Sequence, residues 1–242
     1  MNYSSKILAS LFFFIFITGF LETGLASSHS IPPFQAEYQI KHNGIEIGHV
    51  QLSLKQISPN NFKLVSYTET SGVLSFIRDD GVLETSNFEI VNQRPRPTSY
   101  QYLEHLGDGR KNVSLTFNWN KLNVSNQSKG IVWKLAISDG VLDKSLMQIA
   151  LMQDLNTNKT LTYDIADGGK LKTYRFIPLG TEKIEINNKT YQTVKLARKK
   201  DDKQLITYYW CAPKLHNLPV LLRRKKTYGT FEMKLIKASF PH

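Results

Sequence analysis

Apolar and polar residues alternate along most of this chain. In "FQAEYQIKHNGIEIGHVQLSL" (34–54) the alternation runs on both sides of Asn43-Gly44. A period of two marks a half-buried strand, and Asn-Gly supplies the positive φ angles of a type I′ hairpin turn. "SPNN" then turns the chain into "FKLVSYTET". The same period predicts strands over Val82–Val91, Thr98–Leu106, Lys111–Trp119, Leu122–Gln127, Ile131–Ala136, Thr160–Ile165, Lys170–Ile177, Lys183–Ile186, Thr190–Arg198, Gln204–Cys211, Leu218–Lys225 and Thr230–Phe240. Between them stand "GDG", "NWNK", "SKG", "DGG", "NNK", "DDK" and "YG", the residue types that tight turns require. Short, regular strands joined this way predict a mainly β fold, a large antiparallel sheet that curves or closes into a barrel or spiral.

One segment breaks the rhythm. In "SDGVLDKSLMQIALMQDLNTN" the residues Leu142, Leu146, Ile149, Ala150 and Leu155 recur at helical spacing, with Met147, Leu151 and Met152 on the flanks. This predicts one helix of about four turns over Val141–Leu155, ended by Asn156 and Asn158. Its apolar arc is wider than a surface helix needs. It is expected to plug the curled sheet.

The first residues change the picture of where the chain works. Lys6 precedes an apolar run, Ile7 to Leu21, and Gly24 and Ala26 form a small-residue cleavage pattern. This predicts a signal peptide over residues 1–26, cut after Ala26, and a single β-rich domain over 27–242. The run is shorter than the roughly 20 apolar residues that a span needs; an uncleaved anchor is the alternative. The one cysteine, Cys211, permits no intramolecular disulfide. Five sequons, at Asn112, Asn123, Asn126, Asn158 and Asn188, are chance features of an Asn/Ser/Thr-rich chain under a bacterial reading.

Charge adds a partner class. Lysine and arginine number 31 against 20 acidic residues, a net charge of +11. Such a surplus favours anionic partners. With export these are lipid, lipopolysaccharide or an envelope protein rather than nucleic acid. The basic side chains gather at two strand ends: Arg223, Arg224, Lys225 and Lys226, and, in "LARKKDDK", Lys199 and Lys200. Alternation places Val220, Leu222, Arg224 and Lys226 on one face and Leu221, Arg223 and Lys225 on the other. These are candidate anion or membrane contacts; solvated hairpin tips are the plainer reading.

Catalytic patterns are thin. Cys211 lies five residues before His216, but no third group stands ready to orient the histidine, and a thiol closing an apolar strand acts as a small hydrophobe. His29, His42, His49, His105, His216 and His242 show no metal-binding spacing. Asp79, Asp80 and Glu84, and later Asp164 and Asp167, read as turn chemistry. No nucleophile elbow, phosphate loop or dinucleotide fingerprint occurs, so no cofactor, catalytic residue or metal ligand is assigned.

Several stretches, in order, resemble an exported bacterial family known only as domain of unknown function 3108. They are the 34–54 segment, "SGVLSFIRDDGVLETSNFEI", "RPTSYQYLEHLGDGRKNVSLTFNW", "LDKSLMQIALMQDL", "YDIADGGKLKTYRF" and "YYWCAPKLHNLPVLLRRK". The frame Trp-x-Ala-Pro followed by Leu-Pro-Val falls on Trp210, Ala212, Pro213, Leu218, Pro219 and Val220, with Cys211 at the variable position. The chain departs from the family's usual Asp at Asn118. The resemblance implies a periplasmic home and a curved sheet around a helix; it brings no activity. The expected function is an exported, non-catalytic envelope protein that binds a hydrophobic or lipidic ligand or peptide. A scaffold of envelope maintenance and, behind it, a hydrolase are the alternatives.

Overall fold

The computed structural model describes residues 31–71, 81–106, 109–128, 131–157, 160–200 and 203–241. The predicted signal segment, Asp79, Asp80, His29, His242 and Asn158 lie outside them. Fourteen strands form one antiparallel sheet. They are β1 (Phe34–His42), β2 (Ile45–Ser58), β3 (Asn61–Thr70), β4 (Gly81–Val91), β5 (Arg94–Leu106), β6 (Gly109–Asn118), β7 (Asn123–Ser128), β8 (Ile131–Ala136), β9 (Thr162–Asp167), β10 (Lys170–Ile186), β11 (Lys189–Lys200), β12 (Lys203–Ala212), β13 (Leu218–Lys226) and β14 (Gly229–Ser239). The only α-helix among the described residues, α1 (Leu146–Asp154), separates β8 from β9.

The order across the sheet is β8-β7-β6-β5-β4-β3-β2-β1-β14-β13-β12-β11-β10-β9. Two meanders therefore meet where the first strand pairs the last, Gln35 opposite Ser239 and His42 opposite Phe231. The outer strands, β8 and β9, are not hydrogen-bonded to each other. The linker between them bridges the gap instead. Leu142 makes an isolated parallel bridge to Ile165, and the Ile137 amide donates to the Leu122 carbonyl at 2.9 Å. Tyr100, Leu115, Phe117, Val124, Ile137, Val141 and Ala166 pack into one apolar cluster across this seam.

Two predicted boundaries need correction. The helix is nine residues long rather than fifteen. Leu142 is taken by its bridge to β9, and the Asp143 carboxylate accepts the amides of Ser145 (2.9 Å) and Leu146 (2.8 Å), so the helix starts after this cap. At the other end, the Thr157 hydroxyl donates to the Asp154 carbonyl at 2.8 Å. The stretches predicted as separate strands before and after Pro178 form one bent strand, β10, with a register shift between Pro178 and Thr181 and a positive φ of 102° at Gly180. In β5, Pro95 and Pro97 are tolerated because β6 pairs β5 only from Ser99 onward. There the Trp119 indole donates to the Pro97 carbonyl at 2.7 Å.

Because consecutive strands are antiparallel, turns alternate between two ends. Asn43-Gly44, Gly168-Gly169 and Thr227-Tyr228 mark the upper end; Pro59-Asn60, Asn92-Gln93 and a 3-10 turn at Pro213–Leu215 mark the lower. The helix fills the lower half. Its Leu146, Met147, Ile149, Ala150, Leu151 and Met152 are buried and share one core with Phe34, Tyr38, Leu64 and Phe88 of one meander and Ile165, Leu196, Leu218 and Leu235 of the other. Two polar bonds fix its depth. Arg94, at the lower end of β5, donates a fork to the Asp154 carboxylate, with Nη2 to Oδ2 at 2.7 Å, and Asn217 donates to the Met152 carbonyl at 2.8 Å.

Candidate functional site

The upper half of the inner wall is chemically different. Strand register sets Phe176, Arg198, Thr207, Arg224, Phe231 and His42 side by side across β10, β11, β12, β13, β14 and β1. Directly paired residues share a face. The next row of this face toward the helix is Leu196, Tyr209, Leu222, Met233 and Ile40. Leu196 is buried, and Tyr209 lies edge-on to Phe176 with ring centroids 5.3 Å apart. Ile40, Leu222 and Met233 pack on the core but remain only half-buried. The wall thus presents an apolar row below and a cationic, aromatic row above.

The upper row is held in place by rings. The Arg198 guanidinium lies over Tyr174 at 4.9 Å and over Tyr209 at 5.8 Å, and its Nη2 reaches the Thr207 hydroxyl at 3.5 Å. His42 stacks on Phe231 with centroids 4.4 Å apart. The Arg224 Nε is buried and has no hydrogen-bond partner among the described residues. Neither Arg198 nor Arg224 pairs with a carboxylate among the described residues. Burial pushes the Tyr209 hydroxyl up, and the positive charges of Arg198 and Arg224 oppose that rise.

The basic residues singled out from the sequence divide as alternation requires. Arg224 and Lys226 share the inner face. Arg223 and Lys225 are exposed on the outer one, and so is Lys199 on β11. Arg223 donates to Glu232 at 2.6 Å and lies over Trp210 at 5.3 Å. Lys226 donates to the Tyr228 hydroxyl at 2.6 Å. The backbone of Lys200 ends β11, and its side chain lies outside the description. Sheet order does what the sequence did not show: β11 and β13 flank β12, so Arg198 and Arg224 lie on either side of Thr207. The missed signal was the pairing register, which no local pattern carries.

Cys211 and His216 have different surroundings. Cys211 is fully buried and burial pushes its thiol up to about 12; a thiolate nucleophile is disfavoured there. His216 is exposed in the turn, its ring 4.8 Å from Phe240. Among the described residues no group of three or more His, Cys, Asp or Glu is placed to hold a metal ion, and no helix is long and apolar enough to cross a membrane.

Glu84, grouped above with turn residues, instead sits on the inner side of β4. It accepts from the Tyr100 hydroxyl (2.7 Å), the Ser145 hydroxyl (2.9 Å) and Lys144 (3.2 Å). Asp143 beside it accepts from Ser86 at 2.5 Å. Burial pushes the Asp143 carboxyl up to about 7, against three hydrogen bonds that favour its charged form. Asp164 and Asp167 also belong to a strand, β9, where they accept from Thr173 at 2.6 Å and Lys172 at 2.5 Å. Along the seam a cleft of about 480 Å³ is lined by Arg94, Arg96, Trp119 and Tyr163, with Arg94 already committed to Asp154 and Arg96 to Glu89.

Comparison with known proteins places the fold. A beta-barrel-like protein of domain of unknown function DUF1849 from Brucella abortus is similar over 88% of this chain and 99% of its own, with a TM-score of 0.57 at 8% identity. Identity that low carries the architecture alone. No curated protein matches this chain. Residues 37–236, which hold the meanders, the helix and both rows of the inner wall, match the family described as Protein of unknown function (DUF3108), and the chain belongs to that family.

Proposed function

We propose that this chain is an exported, non-catalytic protein of the bacterial envelope that holds a hydrophobic or lipidic ligand against the upper inner wall. One observation carries the reading: Ile40, Leu222 and Met233 form an apolar row that the helix and its core leave half-covered. Partly exposed apolar side chains on a concave face are where small hydrophobic ligands bind. The signal-like N-terminus supports a periplasmic location for this activity.

Native mass spectrometry of protein purified from its own periplasm tests the reading. A ligand-bound mass is expected, together with uptake of a hydrophobic dye that falls in Leu222→Gln. Only ligand-free mass, with no dye uptake, counts against it. A second reading, an interaction protein of envelope maintenance, has its own support. Among the described residues β8 is paired on one side only, and its Val132 is 59% exposed. A strand of another protein could extend the sheet there. In-cell crosslinking from position 132 that recovers no partner removes this second reading.

A further inference from the structure

We infer that Arg198, Arg224 and Thr207 form a clamp for a phosphate head, so that the ligand of the inner wall is an amphiphile carrying a phosphate monoester. The inference rests on the ligand reading above and names the class of ligand.

The geometry starts from register. Arg198 and Arg224 flank Thr207 on adjacent strands of one face, and neighbouring strands are about 4.8 Å apart. The two arginine backbones therefore stand roughly 10 Å apart, and each side chain is long enough to meet a small group over the Thr207 hydroxyl. Arg198 lies over the rings of Tyr174 and Tyr209, and apart from the Nη2 contact to the Thr207 hydroxyl its N–H groups have no acceptor among the described residues. Arg224 has a buried Nε–H with no acceptor among the described residues. A buried donor of this kind costs about 1–3 kcal/mol unless it is satisfied. An anion arriving between the two guanidiniums supplies the acceptor.

The number of oxygens selects the head. A guanidinium binds an oxyanion through two parallel N–H···O bonds. A carboxylate has two oxygens and satisfies one such fork. A phosphate monoester has three terminal oxygens, so a different pair of oxygens can face each fork, the two forks sharing one oxygen, with lone pairs left for the threonine hydroxyl. A lysine pair in the same places offers only point charges. The tail direction follows from the row beneath: Tyr209, Leu222, Met233 and Ile40 lie one step toward the helix. Head and tail subsites are adjacent on one wall. Phe231 and His42, stacked beyond Arg224, close the row on its far side.

Titration calorimetry of the purified mature chain, in constant ionic strength and below micelle formation, tests this with four probes: dodecyl phosphate, dodecanoate, dodecyl maltoside and inorganic phosphate. Dodecyl phosphate is expected to bind at least about tenfold more tightly than either other amphiphile, the equivalent of a charge-assisted hydrogen bond. Arg198→Gln and Arg224→Gln should each lose that preference and keep the affinity for dodecyl maltoside. Lys225→Gln, which removes the same charge from the outer face, should keep the preference. Should Arg224→Gln fail to fold, Arg224→Lys retains the charge without the fork, and it too should lose the preference. If dodecyl maltoside binds but phosphate is not preferred, the clamp is overturned and the apolar wall stands. If inorganic phosphate binds as tightly as dodecyl phosphate, the amphiphile is overturned in favour of free phosphate. If no amphiphile binds, the ligand reading falls and the clamp with it.

Discussion

Single residues set the limits of this fold through the polar groups they bury. Asp143 caps α1 through two backbone amides, yet it is removed from water, and burial pushes its carboxyl from 3.8 to about 7. A folded-state pKa above the unfolded value means that the native state binds the proton more tightly. Its contribution to stability is therefore full below about pH 4 and is lost as pH rises through about 7. At about 1.4 kcal/mol for each tenfold change in proton affinity, a few kcal/mol are involved. Asp143→Asn keeps the acceptor oxygen of the cap and removes the titration. Urea midpoints of Asp143→Asn should stay level between pH 5 and 8 at this site, while those of the native chain fall. Equal slopes in the two proteins would show that the carboxyl is not the cause. None of this is visible in "VLDKS", because burial is what raises Asp143, and it is set by distant strands such as β4, whose Ser86, 57 positions away, donates to the carboxylate.

Elements show what alternation can and cannot predict. A strand is written in a period of two, and each predicted strand region lies on a strand here, with ends displaced by a few residues. The helix was legible as an apolar arc, but its start was not, because Leu142 obeys helical spacing while serving the β9 bridge. The Pro178–Thr181 bend reads locally as a break, because a bulge interrupts the alternation without ending the pairing. The helix is also where packing is most demanding. Ile149 is 2% exposed in the core shared by both meanders. Ile149→Ala is expected to cost about 3 kcal/mol by thermal or urea unfolding, from lost burial plus the cavity left behind. Gln148→Ala, one position along, should cost no stability, since its buried amide nitrogen has no hydrogen-bond partner among the described residues and removing it relieves an unsatisfied donor. Comparable losses at the two positions would mean that Gln148, the one residue of α1 that is not buried, is packed as tightly as Ile149.

The whole molecule depends on a pairing that no local pattern announces. β1 and β14 lie at opposite ends of the chain and at the middle of the sheet. The inner wall inherits this: His42 meets Phe231, and Ile40 meets Met233, only because those two strands join. Sequence alternation could give the faces of β13 and place Arg224 and Lys226 together, but the row from Arg198 to His42 needs the order of the strands as well. The same join makes the fold slow to form, because its central contacts are the most distant in sequence. It also makes the last strand indispensable. A chain ending at Tyr228 lacks Leu235 from the core and leaves β1 and β13 as two unpaired edges facing each other. Exposed edges of that kind pair with other chains. Such a truncated chain is expected to show no cooperative thermal transition, little amide-exchange protection in β9–β13 as well as in β1–β8, and concentration-dependent aggregation. Protection retained in one meander after the other has been uncoupled would show instead that the two halves fold independently, and that the β1–β14 join only fastens them together.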